Sequence, residues 1–135
     1  MLGDGSDPTR DNLLAGGEVI AAIEIGDRWE GERAAYFRTI SRFEAEWPLV
    51  EAVVRARFDG DVVAECVLAI GGVAAVPLAM DAAASLVVGS TLDDATIRSA
   101  AEACADGASP LPETGYKVEL VVATVIDTLE RLRSG

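Results

Sequence analysis

The stretch from Leu49 to Ile70 constrains the fold more than any other part of the chain. Val50, Ala52, Val54, Ala56 and Phe58 alternate with Glu51, Arg55 and Arg57. That two-residue period is the mark of a half-buried strand. Asp59-Gly60-Asp61 is a turn signal, and Val62, Ala64, Cys66, Leu68 and Ile70 then repeat the alternation. Two strands joined by so short a turn must run antiparallel, which excludes a doubly wound parallel sheet. A two-residue loop at Asp59-Gly60 would pair Val54 with Glu65, setting an acid among apolar side chains. A three-residue loop, or its bulged equivalent, pairs Phe58 with Val62, Val54 with Cys66 and Val50 with Ile70, and sets Arg55 opposite Glu65. A one-residue slip would turn every side chain to the wrong face.

Two further strands are predicted upstream. Glu18 to Ile25 (EVIAAIEI) puts Val19, Ala21, Ile23 and Ile25 on one side, and Arg33 to Ile40 carries Tyr36, Phe37 and Ile40. Gly26 to Gly31 is a turn-rich loop between them, and Ser41 to Trp47 is a polar loop with two aromatics. After Gly71-Gly72 and a short extended piece, Val73 to Pro77, the period changes to helical. Met80 to Val88 is a short helix stopped by Gly89, where a left-handed residue fits. Thr91 is the expected N-cap of a second helix, with Asp93 and Asp94 in its first turn and Ile97, Ala100, Ala101 and Cys104 along its apolar side. After the Ser109 to Glu113 loop, a last helix carries the stripe Val118, Val121, Val122, Val125, Ile126, Leu129 and Leu132, with Arg131 and Arg133 in its final turn. Strands followed by helices give an α+β fold: a small antiparallel sheet of three to four strands packed on about three helices. Residues 1–12, rich in Gly and Asp, read as a flexible tail or severed linker, and residues 13–133 as one domain.

Composition narrows the functions. The 135 residues hold 23 acids and 11 bases, a net charge of −12, so the chain would repel a phosphate backbone or an anionic lipid surface over most of its exterior. No nucleic acid or membrane partner is expected. The bases are uneven: six of the 11 lie between Arg28 and Arg57, whereas Phe58 to Tyr116 holds only Arg98 against nine acids. Histidine is absent, which removes the commonest general base and metal ligand and any Ser-His-Asp or Cys-His arrangement within the chain. Cys66 and Cys104 form no CxxC pattern and read as buried, reduced thiols, as suits a cytoplasmic protein. No metal site is expected. Asp93 and Asp94 could in principle do acid–base work, but at a helix start they read as caps and dipole partners.

Several runs resemble one domain family. LLAGGEVIAAIEI is similar to its L-x-PGE-[LI]-[IL]-T-x-[IV] segment. AYFRTISRFEAEWPLVEAVVRARFDGDVVAECVLAIGGVA resembles its Y-x-K-x-R…LV-x-V-A…DG…GGVA stretch, with IGGVA at Ile70 to Ala74. SLVVGSTLDDATIRSA and the GYKVEL helix start at Gly115 to Leu120 are similar to its closing helices. The family is the C-terminal domain of the FAD-binding, medium subunit of molybdenum hydroxylases: xanthine dehydrogenases, aldehyde oxidoreductases and carbon monoxide dehydrogenases. The resemblance runs from about Leu13 to Leu132.

The resemblance implies the same α+β sandwich and a place in an electron-transfer assembly, with molybdenum and iron–sulfur subunits passing electrons to FAD and FAD passing them to an acceptor. It implies that FAD is present only in the assembled complex, since the family holds the pyrophosphate in glycine-rich loops of a preceding domain; neither Gly3-x-Gly5 nor Gly71-Gly72 replaces them. It places the Ser41 to Trp47 loop near the flavin edge. The implied cofactor-proximal residues are Arg42, Trp47 and Lys117. Arg42 is also placed to pair with Glu44 or Glu46, and Lys117 to act as an ordinary salt-bridge partner. Ile40, Glu44 and Glu51 depart from the family pattern. No catalytic residue is expected in the chain itself. Two roles are therefore weighed: a flavoprotein domain that works docked to an FAD-binding chain, and an orphaned domain serving as a non-redox binding module. An exposed apolar patch favours the first, a fully polar surface the second.

Overall fold

A computed structural model describes Asp7, Thr9 and residues 12–40 and 47–135. Its sheet is antiparallel, in the order β1 (Glu32–Thr39), β2 (Val50–Asp59), β3 (Val62–Gly71) and β4 (Leu78–Ala79). Three helices follow: α1 (Asp81–Val87), α2 (Asp94–Ala103) and α3 (Tyr116–Ser134). The alternation of β2 decides the layers. Val50, Ala52, Val54 and Ala56 are all at most 1% exposed and face the helices, together with Leu68 and Ile70 of β3. Val53, Arg55 and Arg57 face the other way. The predicted α+β architecture is the observed one.

Small side chains make the core dense. Ala52 and Ala56 on the sheet, Ala83 and Ala84 on α1, and Ala100 and Ala101 on α2 are buried beside Val87, Leu92, Ile97, Val125, Leu129 and Leu132. Two buried hydroxyls on α3 are satisfied. Thr124 Oγ1 lies 2.9 Å from Thr39 Oγ1 and so ties α3 to β1, and Thr128 donates to the Thr124 carbonyl at 2.7 Å.

Four local expectations need correction. Glu18 to Ile25 belongs to no strand, and Val19, Ile23 and Ile25 are 72–89% exposed. An apolar alternation yields a strand only when a neighbour supplies its hydrogen bonds, and no described strand does. The hairpin register differs by two residues from the expected one: Val54 pairs with Leu68, Ala56 with Cys66 and Arg57 with Glu65. The loop is Gly60-Asp61, with Gly60 at a φ of +60°, and a register shift follows at Arg57/Phe58. The even offset keeps β2 and the distal half of β3 on their expected faces. The shift itself turns Val63 inward, fully buried, and leaves Val62 outside. Val63 is held there by a second partner: its N–H donates to the Ser90 carbonyl and its carbonyl accepts from Gly89 N–H. Arg55 consequently faces Glu32 rather than Glu65, and Glu65 pairs with Arg57.

The fourth correction concerns α2. Its N-cap is Asp93, not Thr91. The Asp93 carboxylate accepts from Ala95 N–H, Thr96 N–H and the Thr96 hydroxyl, and these bonds, that from Thr96 N–H foremost, hold its carboxyl below the ordinary value of 3.8. Asp94 pairs with Arg133 at 2.7 Å, which also donates to the Leu92 carbonyl. As expected, α1 is followed by Gly89 in the left-handed region at a φ of +84°.

Leu68, 1% exposed at the centre of the helix-covered face, reports on this packing. Leu68→Ala is expected to lower unfolding stability by about 2–5 kcal/mol, read from the urea midpoint at unchanged m-value. A loss below about 1 kcal/mol would show that the sheet–helix interface is loosely packed.

Candidate functional site

The Gly71-Gly72 turn is fixed by what surrounds it. A Cβ on Gly71 would lie 2.6 Å from Glu51 Oε1. Gly72 has a φ of +76°, and a Cβ there would lie 3.0 Å from the Leu49 carbonyl oxygen and 3.2 Å from that of Pro48. Only glycine combines that conformation with that approach. On the carbonyl side of the turn, Lys117 Nζ donates to the Gly72 oxygen at 2.7 Å from the first turn of α3. The turn thus gathers the start of β2, the end of β3 and the start of α3 into one corner.

Two of the three sequence-predicted site residues belong to this corner. Lys117 clamps the glycine turn, and Trp47, 85% exposed, directly precedes the Pro48-Leu49 backbone on which Gly72 rests. Arg42 lies outside the described residues, as do its ion-pairing alternatives Glu44 and Glu46. Lys117 is bonded to backbone, and among the described residues no carboxylate forms an ion pair with it. Glu51, a departure from the family pattern, has a structural part: it accepts a 2.7 Å hydrogen bond from the Tyr36 hydroxyl and lies over Gly71. That bond, more than desolvation, raises the Tyr36 hydroxyl above its ordinary pKa of 10.0.

Beside the corner is a half-open cleft of about 430 Å³, lined by Ile70, Val73, Leu78, Met80, Cys104 and Val118, with Lys117 also in its wall. Cys104 is buried and Cys66 half-buried; neither is in a disulfide. Burial pushes both thiols from 9.0 up to about 11, so neither is a ready nucleophile. At the far end of the sheet, Arg33 stacks on Phe58 at 4.5 Å beside Arg133 and Thr91 in a crevice of about 340 Å³. Among the described residues there is no cluster of three or more potential metal ligands, and no helix long and apolar enough to cross a membrane.

The sheet face away from the helices is a second surface that sequence reasoning did not assemble. Cross-strand partners Tyr36, Val53, Ala69 and Ala79 form a row across all four strands, with Val67 beside them opposite Arg55. Tyr36, Val53 and Val67 are each about half exposed, at 53%, 47% and 51%. Around them run Arg55–Glu32 at 2.6 Å, Arg57–Glu65 at 2.7 Å and the Tyr36–Glu51 bond. The outward parity of β2 was legible in the sequence. The pairing of β1 with β2 was not, because no tight turn joins them.

The arrangement can be compared with known proteins. Residues 35–132 match the family described as CO dehydrogenase flavoprotein C-terminal domain. The chain belongs to that family. Its fold is similar to the CO dehydrogenase of Hydrogenophaga pseudoflava lacking the Mo-pyranopterin moiety (TM-score 0.72, 21% identity, 79% of this chain and 38% of that one). Similar too are quinoline 2-oxidoreductase from Pseudomonas putida 86 (0.72, 19%, 78% and 38%) and the cyanide-inactivated Cu,Mo-CO dehydrogenase (0.70, 19%, 79% and 38%). The chain thus spans under two fifths of the length of the solved chains it matches. No curated protein matches it in sequence.

FAD, the cofactor a flavoprotein family implies, does not fit the glycine turn. A pyrophosphate needs backbone N–H groups facing open space. Here a carboxylate fills the space over Gly71, and two carbonyl oxygens crowd Gly72. All three oxygens would repel a phosphate.

Gly72→Ala is expected to destabilise the fold by about 1–3 kcal/mol, whereas Gly115→Ala, at a φ of −55° with no atom in the way, is expected to be neutral or slightly stabilising. Equal effects in thermal unfolding would show that the corner is not tightly built. The thiols supply a second check. Both should resist a thiol reagent at pH 8 until the chain unfolds. Because the folded thiols ionise near 11 and unfolded ones near 9.0, stability should fall as pH rises from 9 toward 11. Replacing both by Ala should flatten that limb, and an unchanged slope would contradict the burial of the thiols.

Proposed function

We propose that this domain works as the C-terminal part of a molybdenum hydroxylase flavoprotein of the xanthine, aldehyde or CO dehydrogenase type, docked to an FAD-binding domain or chain in the cytoplasm. The observation carrying this reading is the family match over residues 35–132. In this reading the FAD-binding part holds the flavin, and this domain shapes its surroundings.

In this reading the Lys117–Gly72–Leu49 corner holds the backbone that follows Trp47, and Trp47 and Arg42 act near the flavin edge. Their work is positional and electrostatic: an exposed indole for packing, and cations to favour negative charge on a nearby ring or acceptor. Iron–sulfur and molybdenum subunits feed electrons to the flavin, and the chain has no catalytic group of its own. The half-exposed apolar row around Tyr36 and Val53 favours this docked role over an orphaned, non-redox binding module.

A flavin titration of the purified chain tests the division of labour. No quenching of FAD fluorescence and no NADH- or dye-linked oxidoreductase activity are expected from the isolated chain. Micromolar or tighter FAD binding by the chain alone would overturn the reading.

A further inference from the structure

The strand β1 ends the sheet, and its outer edge is open along the middle; at the opposite edge β4 is only two residues long. Phe58 N–H donates to the Gly31 carbonyl, so Gly31 and Phe58 form a hydrogen-bonded antiparallel pair. The two-residue alternation of such pairs turns the N–H and C=O of Arg33, Ala35 and Phe37 toward β2 and those of Glu32, Ala34 and Tyr36 outward. Glu32 agrees with this: its N–H donates to the Trp29 carbonyl and its carbonyl accepts from Arg28. Among the described residues nothing bonds the outward N–H and C=O of Ala34 or Tyr36. The link ahead of β1 leaves them open, because Arg55 holds it over the sheet face, stacked on Trp29 at 3.8 Å and donating to the Asp27 carbonyl at 3.1 Å. An open edge of this kind is a template for another strand.

We propose that this edge pairs antiparallel with the same edge of a second copy, with Ala35 opposite Ala35 on the two-fold axis. The inference goes beyond the flavoprotein reading and does not rest on it. The open groups choose the register. Ala34 of each copy lies opposite Tyr36 of the other, and each such pair exchanges both of its N–H···O bonds. The same register sets Glu32 across from Arg38 on the outward face and Arg33 across from Phe37 on the helix side. A shift of two residues either way loses the Glu32–Arg38 pairs, and an odd shift turns the open groups away from each other. An edge that complements itself favours a second copy over an unrelated strand.

The helix α3 supplies a second layer. It packs on both β1 and β2, with Thr124 Oγ1 2.9 Å from Thr39 Oγ1 and Arg131 stacked on Phe37 at 4.6 Å. A two-fold axis normal to the sheet, about 2.4 Å beyond β1, therefore sets the two α3 helices about 10 Å apart, the spacing of packed helices. Edge and helix together offer on the order of 500 Å² per copy, under the roughly 800 Å² of stable complexes, so the dimer is a weak one. Charge acts in two senses. The strand carries Arg33 and Arg38 against Glu32, which suits the contact, but each copy bears −12 overall. Salt screens that long-range repulsion more than the close contacts, so association strengthens as salt rises.

The test is sedimentation equilibrium of the purified full chain from about 1 to about 300 µM, in about 0.05 and about 0.5 M salt. A monomer–dimer equilibrium that tightens at the higher salt is expected. Ala34→Pro removes an outward N–H and none of those bonded to β2, a change that edge strands tolerate. It should weaken association at least about tenfold, while the melting temperature at low concentration stays nearly the same. Ala35→Cys is a measurement independent of that variant. On the two-fold axis a non-hydrogen-bonded pair brings the two Cα atoms to about 4.5 Å, within disulfide range, so mild oxidation should link two copies. Val67→Cys, half-exposed on the sheet face away from this edge, should not link. Should Ala34→Pro fail to fold, the Ala35→Cys link decides. A chain that is monomeric throughout in both salts would overturn the proposal. So would a dimer that a folded Ala34→Pro leaves intact, or one that Val67→Cys links and Ala35→Cys does not.

Discussion

The structure depends on the alternation of one strand. In β2, Val50, Ala52, Val54 and Ala56 turn toward the helices and are essentially inaccessible to water, while Glu51, Val53, Arg55 and Arg57 turn away. Because β2 pairs with β1 on one side and β3 on the other, its parity assigns a face to every residue of the three long strands. The inner face then dictates small side chains where helices approach. The outer face gathers the arginines, the ion pairs and the half-exposed apolar row. Burial and recognition are the two sides of one periodic pattern.

Most of the architecture was legible in residue order. The hairpin turn, the change of period after Pro77 and the stripe of α3 each rest on local chemistry. The failures share a cause: each involved a partner that local sequence does not specify. Glu18 to Ile25 has strand periodicity, but no described strand completes it. The hairpin register was settled by Val63 bonding to Gly89 and Ser90, far along the chain. The cap of α2 passed from Thr91 to Asp93 because Leu92, buried with a φ of +57° and its carbonyl bonded to Arg133, fixes where the helix begins.

The candidate site was legible only through resemblance to a family. Nothing in the composition or spacing singles out Trp47 or Lys117. Their placement at one corner follows from Gly72, whose left-handed backbone lets β3 turn against Leu49 and meet the start of α3. The Tyr36–Glu51 bond and the Arg55–Trp29 stack depend on the pairing of β1 with β2 and on a loop crossing the sheet. Residues 15 or more apart had to be brought into register before either could be seen.

The central claim is that this domain works within a molybdenum hydroxylase flavoprotein, and what accompanies it when purified from its native cells tests that most directly. The account predicts that the tagged protein elutes with FAD and with molybdenum and iron–sulfur subunits, with flavin present in one-to-one ratio to the tag. A folded, colourless chain eluting by itself, with neither flavin nor metal in the preparation, would contradict it.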